Sequence, residues 1–184
     1  MRRLLAPVVV GLALAQAGCP TFSDDAYLYR EGFQDCPSGC GWLRTAGEPS
    51  DATIADTLHG ERGLQLCNSV VVMHTLEGVW FDPRTFTTGS RLALDAIVRC
   101  DVGSRVEVQV AATDERGMPQ SFDPPVFASP TWDAPRSAFS ALQGFGGSDP
   151  VIISLDALVL TKTGSGVCEL DEIGILLDAM RFSR

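Results

Sequence analysis

The sequence predicts an all-β chain folded as a sandwich of two sheets. Three observations carry that prediction. Apolar residues recur at every second position through long stretches. Clusters of Gly and Pro interrupt those stretches at short intervals. After the leader, no useful length repeats with the period of a helix.

The first 26 residues stand apart from the fold. Arg2 and Arg3 give a positive start, Leu4 to Ala15 is uncharged and apolar, and small residues precede Cys19. That order is the order of an export leader. The apolar run is too short for a membrane span, which needs about 20 residues. Ala17, Gly18 and Cys19 are similar to a bacterial lipobox, which directs lipid onto the cysteine thiol before cleavage. Gln16 departs from that pattern, since Leu is usual there. We therefore expect a lipoprotein signal peptide over 1–18, acyl chains including palmitate on Cys19, a polar tether over 19–26 and one domain over 27–184. The alternative is an ordinary secretory leader cut near Ala17. Pro20 is unlike an inner-membrane retention signal, so the expected location is the bacterial cell envelope, at the outer membrane.

The domain is acidic. The chain carries 23 acidic and 14 basic residues, and the leader holds two of the basic ones and none of the acidic. Nucleic acid is excluded as a partner, because phosphate binding needs clustered Lys and Arg. Lys162 is the only lysine. The expected partners are the membrane, through the anchor, and a glycan or an envelope protein.

Six cysteines in an exported chain point to disulfides. With Cys19 lipidated, Cys36 and Cys40 form one expected bridge, inside the turn CPSGC. Cys100 ends one expected strand and Cys168 begins another, and antiparallel neighbours would bring them together. Cys67 is left as a buried free thiol. The rival is zinc on Cys36 and Cys40 with His59 or His74.

Taken in order, the expected strands are Thr53 to Thr57, Gly63 to Met73, Arg91 to Cys100, Arg105 to Thr113, Ser137 to Phe145, Val151 to Thr161 and Val167 to Leu177. In RLALDAIVRC, Leu92, Leu94, Ala96, Val98 and Cys100 share one face, opposite Arg91, Asp95 and Arg99. In RVEVQV, Val106, Val108 and Val110 face away from Arg105, Glu107 and Gln109. DVGS between these two runs reads as a hairpin turn. In the last strand, Cys168 and Leu170 are of one parity, while Ile173, Ile175 and Leu177 are of the other. A β-bulge near Asp171 and Glu172 restores one apolar face. Gly117 to Pro135 reads as a surface connection with an edge strand at Val126 and Phe127.

GFQDCPSGCGW, GERGLQL, RLALDAIVRC and LDEIGIL, in that order, resemble jelly-roll modules of the galactose-binding and carbohydrate-binding type. The resemblance spans most of residues 27 to 178 and implies a jelly-roll-like sandwich. It implies that Trp42 is a core residue. It also implies a structural calcium, held here by Glu31 and Asp171; Gln34 stands where the family usually has Glu.

Few groups are placed for catalysis. No GxSxG elbow, HExxH helix or phosphate-binding Gly loop is present. Asp171 and Glu172 are adjacent in a strand, a poor start for paired acid and base work. No catalytic residue is expected. Trp80, in GVWFDPRTF, and Trp132, in ASPTWDAP, lie in connections, where a large ring either anchors the loop or meets a partner. Trp80, Trp132, Asp82 and Arg84 are the candidate ligand contacts, with Asp133 and Arg136 beside them. The expected function is non-catalytic recognition of a glycan or surface partner. The alternatives are a structural envelope component with no small ligand, and a glycan hydrolase.

Overall fold

The computed structural model describes residues 27–36, 39–58, 60–80, 91–123, 126–141 and 151–178. Cys19, His59, Asp82 and Arg84 lie outside them, so the anchor and two of the candidate contacts are outside the described structure.

Among the described residues, eleven strands form two antiparallel sheets packed face to face. They are β1 (Tyr27–Gly32), β2 (Trp42–Ala46), β3 (Ala52–Asp56), β4 (Arg62–Leu66), β5 (Val70–Thr75), β6 (Arg91–Cys100), β7 (Arg105–Asp114), β8 (Pro119–Phe122), β9 (Arg136–Ala141), β10 (Ile152–Thr163) and β11 (Cys168–Asp178). The first sheet runs β3-β4-β11-β6-β9, and the second β2-β5-β10-β7-β8. β4 pairs with the start of β11, and β1 with its later part. β6 pairs with β11 along its whole length.

The alternation read in the sequence fills the space between the sheets. Leu92, Leu94, Ala96, Val98 and Cys100 of β6 meet Val106, Val108 and Val110 of β7 and Leu158 and Leu160 of β10 in one buried core. The bulge in β11 is present. Its register against β6 shifts between Leu170 and Glu172, and Leu170, Ile173 and Ile175 are all buried. Extrusion of Asp171 lets both halves of the strand present apolar side chains to the same core.

Two expected connections are different. DVGS does not close a hairpin, because β6 and β7 belong to opposite sheets. It arches over the end of the sandwich. The Gly63 to Met73 run is two strands, β4 and β5, again in opposite sheets. The break falls at Asn68, whose φ of 48° turns the chain. Asn68 Nδ2 donates to Asp51 Oδ1 at 2.7 Å. The long connection after Gly117 contains β8, and Phe127 bridges Val106.

Asp95, on the face of β6 opposite the apolar one, is only 2% exposed. Tyr27 lies across Gly174 and donates to Asp95 Oδ2 at 2.8 Å. Arg136 donates from Nε to Oδ1 at 2.8 Å and from Nη2 to Oδ2 at 2.7 Å. The outer face of β6 is therefore covered, and its carboxylate carries a two-pronged guanidinium partner.

Lys162 is fully buried and points into the end of the sandwich. Its ammonium donates to the carbonyls of Gly164, at 2.5 Å, and Gly166. Burial pushes its pKa down, and Cys67, Asp101 and Asp51 oppose that shift.

Disulfides join Cys36 to Cys40 and Cys100 to Cys168. Cys67 is free and, unlike the expected buried thiol, partly exposed. It follows β4 at the sheet change, where the chain leaves the core. The two bridges close loops of very different length, with sequence separations of 4 and 68. In the chain-entropy model the longer is worth about 4 kcal/mol and the shorter about 2. Urea denaturation of the Cys100→Ala/Cys168→Ala pair should therefore show the larger loss, and the Cys36→Ala/Cys40→Ala pair the smaller. The reverse ranking would show that native-state packing at the shorter loop outweighs chain entropy.

Candidate functional site

The site grows from a face change on β1. Glu31 pairs with Ile173 and Tyr29 with Ile175, so both side chains take the core-facing parity of β11. Tyr27 lies beyond a register shift and turns to the outer face. Across the sandwich, Trp42 at the start of β2 pairs with His74 near the end of β5. Val70, Val72 and His74 share a parity, which carries the imidazole to a core-facing position.

These side chains meet as a ring cluster. The Tyr29 and His74 centroids are 5.3 Å apart, Trp42 and His74 are 5.2 Å apart, and Phe33 lies 6.2 Å from Trp42. The Cys36–Cys40 bridge ties down the approach to β2. Cys40 and Gly41 both have positive φ, 47° and 75°. A Cβ on Gly41 would sit 3.2 Å from His74 Cε1, so a glycine keeps the ring in place.

An open cleft of about 470 Å³ lies here, lined by Tyr29, Gly41, Leu43, His74, Thr75, Leu76, Glu77 and Val79. Its size is that of a small-molecule pocket. Three polar atoms at the cluster are sealed from water and have no hydrogen-bond partner: Tyr29 Oη, Trp42 Nε1 and His74 Nδ1. Buried polar groups are normally paired, so three orphans in one cluster mark an unusual place. Burial raises the Tyr29 hydroxyl pKa well above its usual range, and Glu31 adds to that. Burial also raises the Glu31 carboxyl. Burial lowers the His74 imidazole, against the pull of the Cys40 and Gly41 carbonyls.

Trp80 follows Val79 directly and is 68% exposed. It bridges Ser154, whose hydroxyl donates to Asp156 Oδ1 at 2.9 Å. Thr113 Oγ1 donates to Asp156 Oδ2 at 2.8 Å. The strand that Trp80 bridges thus carries an ordered carboxylate, Asp156, held by two hydroxyls.

The structure does not bring Trp132 to Trp80. Trp132 is half-buried and precedes Asp133, which bridges Val98 near the end of β6. Ser154 pairs with Thr113 where β7 ends, whereas Val98 lies by the arch where β7 begins. The two tryptophans belong to different sheets and opposite ends.

Nor does it bring Glu31 to Asp171. Glu31 has core-facing parity, whereas Asp171 is extruded at the bulge and accepts from Thr57 Oγ1 at 2.9 Å. Calcium needs six to eight oxygens around one point, and these two carboxylates do not converge. Glu31 instead lies beside Cys36 and Cys40. Their sulfurs are joined to each other, which removes the thiolates that the zinc alternative needs.

Sequence reasoning missed the pairing of Tyr29 with His74. The available signal was parity: His74 continues the buried alternation of Val70 and Val72.

No known family profile matches the sequence, and no curated protein does. Solved structures match by shape. One is the CBM22-1 and GH10 portion of a Clostridium thermocellum xylanase complexed with xylohexaose, with TM-score 0.55 and 14% identity, covering 85% of this chain and 30% of that one. Another is the CBM22-1 xylan-binding domain of Paenibacillus barcinonensis Xyn10C, with TM-score 0.53 and 15% identity, covering 84% and 97%. A third, CtCBM11, has TM-score 0.53 and 13% identity, covering 86% and 99%. At these identities the likeness is one of fold. The chain is a β-sandwich of the kind seen in carbohydrate-binding modules.

His74 gives a pH test of the cluster. An unfolded histidine titrates near 6.5, and this one is held lower when folded. Between those two values the unfolded chain binds more protons, so stability falls as pH drops below about 6.5. Glu31 acts in the opposite sense over a more acidic window, losing stability as pH rises through and above 4.5. Urea midpoints between about pH 7 and pH 5 should decline, and His74→Phe should flatten that decline. An unchanged slope in the variant would place the titrating group elsewhere.

Proposed function

We propose that this chain is a non-catalytic, glycan-recognising sandwich held at a bacterial cell envelope, at the outer membrane, by lipid on Cys19. The observation that carries the reading is Trp80, an exposed indole one residue after Val79, which lines an open cleft with Tyr29 and His74. A flat apolar ring suits the face of a pyranose, and the half-buried Asp156 carboxylate on the strand bridged by Trp80 offers hydrogen-bonding oxygens. The named xylan-binding domain shares the fold, which supports a sugar as the ligand class.

A non-catalytic role fits the chemistry of the site. The groups that act on His74 are burial and the Cys40 and Gly41 carbonyls, with no carboxylate among them to orient the imidazole as a base. Asp171 and Glu172 are engaged with Thr57 and Arg30. The anchor rests on the leader sequence, with its apolar run ending in Ala17, Gly18 and Cys19.

Affinity electrophoresis through gels containing neutral polysaccharides tests the recognition. Trp80→Ala should weaken retention by about tenfold, equal to about 1.4 kcal/mol. It should leave stability within about 0.5 kcal/mol, because the side chain is exposed. Trp132→Phe should leave retention unchanged. Retention that survives Trp80→Ala would remove Trp80 from the site.

The anchor is tested separately. Cys19→Ser should abolish palmitate incorporation and release the protein from the membrane fraction. Labelling that persists in this variant overturns the lipoprotein reading.

A further inference from the structure

We propose that Glu31, Cys36 and Cys40 form a binding site for a thiophilic divalent cation, of the zinc and cadmium class, once the Cys36–Cys40 bridge is reduced. The site stands independently of the glycan reading.

Placement comes first. Glu31 lies near the end of β1, Cys36 follows the turn Phe33–Asp35, and Cys40 lies just before β2. Their carboxylate and sulfur atoms all lie within 4.8 Å of one another. Among the described residues, no other three His, Cys, Asp or Glu side chains gather in this way. Glu31 Oε1 is 3.5 Å from Cys36 Sγ. In the bridged chain that sulfur has no proton to donate, so the carboxyl gains no hydrogen bond from it. Burial pushes the Glu31 carboxyl up, and no positive group opposes that. The neighbouring Arg30 is turned to Glu172, at 2.6 Å. A half-buried acid without a cation is thus held against two sulfurs.

Ligand chemistry then sets the class of ion. Two thiolates and one carboxylate suit a zinc-group ion and leave a fourth tetrahedral position to water. Calcium and magnesium take oxygen ligands and match the set poorly. The Cα atoms of Cys36 and Cys40 are 5.3 Å apart. Side-chain rotation can therefore open the freed sulfurs to the roughly 3.8 Å that zinc–sulfur bonds of about 2.3 Å require.

The reductant is a dithiol. Its two S–H groups become a disulfide, and Cys36 and Cys40 gain the two electrons and two protons. The cation displaces those two protons as the sulfur–metal bonds form. Access separates the two bridges of the chain. Cys40 and Glu31 are half-buried, whereas Cys100 and Cys168 are fully buried. The dithiol reaches the short bridge first, and the long one keeps the sheets pinned.

The test uses the processed chain, treated with dithiothreitol and desalted without oxygen. Alkylation and peptide mapping should find Cys36 and Cys40 labelled and the Cys100–Cys168 bridge intact. Dichroism should keep its sheet signal. Cadmium should then give a sulfur-to-metal charge-transfer band. Zinc should bind in calorimetry at least about a hundredfold tighter than it does to the oxidised chain. Glu31→Gln keeps the shape and the bridge, and it should weaken zinc about tenfold or more. The Cys36→Ser/Cys40→Ser pair should remove the band. Cys67→Ser should leave both readouts unchanged.

Equal binding by the oxidised and reduced chains, or full affinity in Glu31→Gln, overturns the site. So does labelling of Cys100 and Cys168 instead, or a reduced chain that binds neither metal or loses its sheet signal. None of these results touches the glycan reading, because retention on polysaccharide is measured on the oxidised chain.

Discussion

The architecture depends on one extra residue. β11 pairs with β1, β4 and β6. Its apolar side chains change parity partway along. A straight strand would turn Ile173 and Ile175 to the outside or push Cys168 and Leu170 there, because a one-residue slip reverses every side chain. Extrusion of Asp171 removes the conflict, and Thr57 Oγ1 supplies the displaced carboxylate with a buried partner at 2.9 Å. Gly63 makes room for it, since a Cβ there would collide with the Leu170 carbonyl at 2.5 Å and approach Asp171 Oδ1. The bulge then sets the parity that β1 must match. Tyr29 and Glu31 face inward because Ile175 and Ile173 do. The cleft is a distant consequence of that single residue.

The opposite end of the sandwich is closed by a different device. β6 and β7 diverge into separate sheets, and the arch between them would leave polar backbone facing the interior. Lys162 enters that space and donates to the Gly164 and Gly166 carbonyls. Ser104 Oγ accepts from Gly166 N at 2.9 Å, and Asp101 Oδ2 accepts from Val167 N at 2.9 Å. These contacts hold the turn between β10 and β11 against the arch. Cys100 and Cys168 stand directly opposite each other in the β6–β11 ladder, so their bridge pins the same place covalently. The chain's one lysine is thus a structural plug.

The sequence made the layers legible because alternation is a direct imprint of a half-buried sheet. The β6 and β7 runs and the β11 parity change were all readable for that reason. Sheet membership was not. A four-residue connection looks the same whether it closes a hairpin or arches between sheets, and the residues of DVGS suit both. Asn68 gave a usable signal for the β4–β5 break, being a residue that tolerates left-handed backbone inside an otherwise apolar run. The burial of Asp95 was not legible, because its cover comes from Tyr27 and Arg136, 68 and 41 residues away. The cleft failed to show for the same reason. Tyr29, Trp42 and His74 each had an ordinary local reading, and only the bulge-determined register brings them into one cluster.

Local rules are broken at this cluster more than anywhere else described. Three buried polar atoms lack partners, two consecutive residues have positive φ, and a carboxyl is pushed up by burial without a cation beside it. Each departure disfavours the fold, and unpaired buried groups typically cost about 1–3 kcal/mol apiece. The rest of the corner offsets this, through the Cys36–Cys40 bridge and the close packing of Phe33, Trp42, Tyr29 and His74. Packing alone does not require polar tips at these positions. Phe would fill the place of Tyr29 and leave nothing unpaired. The hydroxyl of Tyr29 and the indole N–H of Trp42 thus make no hydrogen bond that stabilises the fold. Such violations are expected where function competes with stability. The corner therefore carries a cost in stability that the network around Asp95 does not, because there the hydroxyl of Tyr27 and the guanidinium of Arg136 meet both carboxylate oxygens.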